Sequence, residues 1–163
     1  MHRITCFGKE TGAAPASTAG GSGAISIVMK KTVDELLQTP YWIIDIFPVQ
    51  VPPDSPGQFF AVERYFLAEN RLAAIKQKHI NLILKLNCYR SVSIDEEAAI
   101  NPPPERIAGE IRSRYLYIML EDSMILSEPD DTHLTLFNPD KPLLELVKTI
   151  AAGEGLFVWK PAQ

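Results

Sequence analysis

Glu128, Asp130 and Asp131 crowd against His133 in the second half of the chain. Carboxylate oxygen and imidazole nitrogen together could ligate a divalent cation. Pro129 interrupts the run and no glycine sets a binding loop, so the plainer reading is a solvated hairpin turn. Asp45 sits inside the apolar run YWIIDIF at residues 41–47. Burial there would raise its pKa and suit it to acid or base work. The blander alternative is an ionised Asp45 on a wet strand face, paired with Lys85. His133 is the best general-base candidate if the chain is an enzyme. Asp45, Lys85 and His133 would then have to converge on one pocket. His79 reads as a cation at a helix end, favoured by the helix dipole. Lys76 and Lys78 read as solvated surface. Glu121 and Asp122 are neighbours at a predicted strand, point opposite ways, and make no carboxylate pair.

No established motif joins these residues. The P-loop, the dinucleotide-binding glycines, H-E-x-x-H, G-x-S-x-G, the EF-hand loop and the aromatic RNA-binding strand are all absent from the sequence. Asp45 and His133 stay as candidates only, and no cofactor or metal is expected. Cys6 and Cys88 form no C-x-x-C pair, and the pattern fits a reducing, cytoplasmic setting. Cys88 is expected to be an inert buried thiol. Sixteen Lys+Arg against twenty Asp+Glu leave a formal charge of −4, with the basic residues scattered. Nucleic-acid binding draws on clustered Lys and Arg, so it is not expected. No apolar run approaches the length of a membrane span.

The elements that must position these groups begin after a low-complexity stretch. Residues 8–24 are almost wholly Gly, Ala, Ser, Thr and Pro, too poor in apolar surface to offset ordering entropy. The expected organisation is a flexible leader over residues 1–24 and one α+β domain over 25–163. Thr32 and Glu35 match a capping box, which starts a short helix that stops before Pro40. Residues 41–47 read as a strand, and the Pro-dense segment at 48–57 as a rigid connection. Helical spacing runs over 58–78, with Asn70 as a candidate break. The run INLILKLNCY at 80–89 alternates, which predicts a half-buried strand. A short helix at 105–112 follows. Strands come next at 115–120, extending through 124–126, and at 132–137. A helix over 143–152 and a last strand at 156–160 complete the order.

Two helix-linked strand pairs flanking a hairpin resemble the split βαβ pattern of ferredoxin-like folds. The resemblance is one of architecture and assigns no function. The polar second side of residues 80–89 implies a two-layer sandwich with a mixed or antiparallel sheet, helices on one face and the other face open. Parity then puts Lys85, Asn87 and Tyr89 on the open face with Tyr115, Tyr117, Met119 and Trp159. Tyr41, Ile43, Asp45, Phe157, Thr135 and Phe137 are expected to join them. Aromatic residues and Met are enriched at interface cores. The leading reading is thus a non-catalytic interaction module, self-associating or a subunit. The alternative is a small-molecule-binding domain or small enzyme built on Asp45, Lys85 and His133.

Overall fold

The structure, a computed structural model, describes residues 30–162. The expected 1–24 leader and Cys6 lie outside the described residues. Thr32 and Glu35 form the expected capping box at the start of α1 (Val33–Leu37), each side chain bonding the other's backbone N–H. The first strand, β1 (Tyr41–Asp45), follows. Two helices come next, α2 (Phe59–Phe66) and α3 (Glu69–Asn87). Beyond them lie β2 (Ser93–Ile94), α4 (Pro104–Ser113), β3 (Leu116–Leu120), β4 (Ser123–Ser127) and β5 (Leu134–Phe137). The chain closes with α5 (Lys141–Gly153) and β6 (Phe157–Trp159).

The fold is α+β, and the described residues form six strands in one open sheet ordered β2-β3-β4-β5-β1-β6. Every neighbouring pair is antiparallel. β5 and β6, joined by α5, lie on either side of β1. The tight turn at Glu121 and Asp122 separates β3 from β4, so these two acids cap a hairpin instead of lying within a strand.

The predicted strand at 80–89 is a helix. From Glu69 to Asn87 there is neither Gly nor Pro to break α3. Within the ten-residue window, alternation and helical spacing overlap. Ile83 decides between them, because it breaks the alternation yet sits three and four residues from Ile80, His79 and Leu86, all buried with it. The break before α3 falls at Leu67 and Ala68, not at Asn70.

The layering inferred from that false strand is nonetheless present in part, because other strands carry the signal. β3 alternates buried and half-buried residues. Leu116, Ile118 and Leu120, with Ile125, Leu134, Leu136 and Ile44, form the core with residues of α3, α4 and α5. The opposite face holds Tyr117, Met119, Leu126 and Phe137, and it is not bare. Leu36 of α1 is fully buried against Met124 and Phe137 there. The Glu96 carboxylate accepts the Val33 N–H beside it. A five-residue helix therefore covers the β3–β5 part of the face that the sequence reading left open.

Candidate functional site

The polar groups that remain unspent gather at the other end of this face, where β1 finishes. In the antiparallel register, Ile44 faces Leu134 and Asp45 faces Phe157. Continued by one residue, the first pairing sets Asp45 across from His133. The segment after β1 then rises over the sheet. Trp159 Nε1 donates to the Phe47 carbonyl at 3.1 Å, and Phe47 packs on Phe59 of α2 with ring centroids 5.5 Å apart. Between these parts lies a cleft of about 280 Å³, lined by Asp45, Glu63, His133, Phe47, Phe59 and Trp159 among others.

Asp45 is only 8% exposed. Its Oδ1 accepts the Ile46 N–H at 2.7 Å, and among the described residues no Lys or Arg bridges it. Desolvation raises its pKa, against the opposing pull of the Ile46 amide and His133. His133 Nδ1 lies 2.8 Å from Asp131 Oδ1. That bond raises the His133 pKa, with burial working against it. For Asp131, desolvation pushes upward but is outweighed by bonds from His133 and the local backbone, and the net shift is downward. The pair fixes the imidazole through Nδ1 and leaves Nε2 as the ring's other polar atom, the arrangement a general base requires.

Beneath this end of the sheet, two residues of α3 behave unlike the surface groups that the sequence suggested. Lys76 is 3% exposed, donates to the Glu128 carbonyl, and lies 3.5 Å from His79 Nδ1. Burial lowers its pKa to about 8. His79 is fully buried, its Nε2 has no partner, and desolvation followed by repulsion from Lys76 lowers its pKa to about 3. It is a neutral core imidazole in mid-helix and not a helix-end cation. The helical spacing of 76, 79, 80 and 83 is the signal that points to this burial, once α3 is read as continuous.

Of the three residues required to converge, Asp45 and His133 share the cleft and Lys85 does not. Lys85 bridges Glu154 just past α5, in the helical layer. Asn87 donates to the Arg90 carbonyl and the Asn101 side chain, and Tyr89 stands exposed after α3. None of the three belongs to the sheet face, because their assignment rested on the strand that is a helix. Cys88 is exposed, for the same reason. Tyr115 and Tyr117 join hydroxyls at 3.0 Å beside α1, and Met119 pairs with Ser93 near the β2 edge. Of the expected face, Trp159, Ile43 and Asp45 line the cleft.

Among the described residues no group of three His, Cys, Asp or Glu side chains is placed to hold a metal ion, and no helix is long and apolar enough to cross a membrane. A larger depression of about 340 Å³ adjoins Lys30 and residues 91–98. Its acidic groups are already engaged, Asp95 by Arg114, Glu97 by Arg106 and Glu96 by the Val33 amide. The cleft at Asp45 differs in holding a buried carboxylate without such a partner. This chain matches no family model, no curated protein and no solved structure.

Proposed function

We propose that this protein is a non-catalytic interaction module that associates with a second copy of itself through the aromatic surface joining β6, the segment after β1, and α2. One observation carries this reading. The eight residues of α2 include no buried side chain, and Phe60 and Tyr65 are 77% and 55% exposed. The aromatic contact runs from Phe47 to Phe59 and on to Phe60, with successive rings 5.5 Å apart. A helix that exposes large aromatic side chains in this way is typical of a face that another surface covers, and a two-fold axis is the commonest way to close it. Light scattering on the purified chain should return a dimer, and Phe60→Ser should return a monomer with an unchanged circular dichroism spectrum. A monomeric wild-type protein sinks the reading. Tyr117 is less suitable for the test, because it is half-buried under α1 and a charge there would disturb the fold.

The contiguous strands β4-β5-β1-β6, with α5 joining β5 to β6, support an architectural reading as well, a ferredoxin-like pattern widened by β2 and β3 beyond β4. A second functional reading, a ligand-binding cleft able to move a proton, is favoured by the Asp131–His133 bond and by the placement of Asp45 beside it. In that reading His133 Nε2 accepts the proton and Asp131 orients the ring. His133→Gln would abolish any turnover while leaving binding in place.

A further inference from the structure

We propose that the cleft beside Asp45 receives the cationic end of a lysine or arginine side chain presented by a polypeptide partner. This rests on the cleft being a binding site, the second reading above, and it competes with self-association, whose aromatic surface shares Phe47 and Phe59 with the cleft. Asp45 and Glu63 both line the cleft, and none of its lining residues is Lys or Arg. Asp45 is more than nine-tenths buried, and among the described residues no Lys or Arg bridges it; its charge-bearing neighbour is His133, which Asp131 already holds. A buried carboxylate is stabilised most by a cation brought to hydrogen-bonding distance, and leaving it unpaired is unfavourable. Phe47, Phe59 and Trp159 supply the walls. Aromatic faces attract ammonium and guanidinium groups, and they pack equally well on the methylene stem behind the charge. The volume of about 280 Å³ falls at the small end of ligand pockets, which suits one side chain better than a nucleotide or a large cofactor. His133 also lines the cleft, but its Nδ1 is held by Asp131, so it does not occupy the place of a partner for Asp45.

The test follows the Trp159 indole N–H resonance of the full chain during titration. The probes are the tripeptide acetyl-Gly-Lys-Gly-amide, its norleucine counterpart, n-butylamine and n-butanol. The lysine peptide should saturate the shift with affinity about tenfold above the norleucine peptide, and Asp45→Asn should remove most of that margin. Glu63→Gln should weaken it by a smaller factor, and Lys85→Ala should leave it unchanged. Equal binding of the lysine and norleucine peptides overturns the inference while the cleft remains a binding site. If no probe binds, inference and cleft fail together. If n-butylamine binds more tightly than the lysine peptide, the polypeptide source is overturned in favour of a free amine. Asp45→Asn should fold normally and keep the oligomeric state of the wild type, which separates this test from that of self-association.

Discussion

At the β2–β3 end of the sheet, Asp95 is engaged by neighbours from the same chain. Its Oδ1 accepts the Tyr117 N–H at 3.0 Å and its Oδ2 lies 2.9 Å from Arg114 Nη2. Arg114 also pairs with Glu110, Arg106 joins Glu110 to Glu97, and α1 covers the adjoining apolar surface. At the β1–β6 end, Asp45 is more buried, yet among the described residues it takes only local amide hydrogen bonds and no Lys or Arg bridge. Charge satisfied within the fold serves the fold. Charge buried at a cleft without a fixed partner raises the free energy of the folded chain, and a ligand that brings the partner can recover that free energy as binding.

The largest effect should come from removing the cover at the satisfied end. Leu36→Ala deletes a fully buried side chain that packs on Met124 and Phe137. We expect a loss of about 3 kcal/mol in urea unfolding, the usual size for a buried leucine. A loss below about 1 kcal/mol would mean that α1 is a loose flap and that both ends of the face are open alike.

His79 sharpens the contrast from beneath the cleft. Its folded pKa of about 3 lies below the unfolded 6.5, so between those values the unfolded chain binds the extra proton. Stability from this group is present above pH 6.5 and is lost as pH falls toward 3, at about 1.4 kcal/mol per pH unit at most, the slope of one proton. His79→Leu should flatten that part of the stability–pH curve, and its cost at neutral pH should be confined to the Lys76 contact that it removes, offset by the loss of the unpartnered Nε2. A curve for the variant as steep as that of the wild type would place the acid sensitivity elsewhere.

The smallest effects are the most direct comparison. Asp95→Asn keeps the Tyr117 amide bond and the left-handed backbone at φ 53, which Asn tolerates well, but gives up the charge facing Arg114. Both partners of that pair are more than a third exposed, so the expected cost is about 0.5–1 kcal/mol. Asp45→Asn should have the opposite sign. The folded pKa of Asp45 is raised above 3.8, so its favourable contribution is present below that value and is lost as pH rises through the folded pKa. At pH 7 the Asn variant should therefore melt above the wild type, and at pH 3 the two should converge. If both variants melt below the wild type at pH 7, the two ends of the face do not differ in the way described.

Strand parity was readable wherever a strand existed. Tyr117, Met119, Thr135, Phe137, Ile43, Asp45 and Trp159 all fall on the face opposite the main helices, as a period of two requires. The same arithmetic misled at residues 80–89, because five apolar residues in a short window satisfy two periods and only the unpunctuated run from Glu69 separates them. The cleft was half legible. Asp45 and His133 were recognisable by type, and their convergence follows from the β1–β5 register. Glu63 and Phe59 join them only because residues 46–58 carry α2 over the end of the sheet.

What is local was legible in the residues alone: the capping box at Thr32, a strand read at 41–47 that the fold ends at Asp45, and the alternation that sorts each strand's side chains between two faces. Packing alone set which helix covers which part of the sheet, the joint burial of Lys76 and His79, and the want of a Lys or Arg bridge to Asp45 among the described residues. Local preferences depend on residues a few places apart, whereas the environment of a charge depends on every element packed around it.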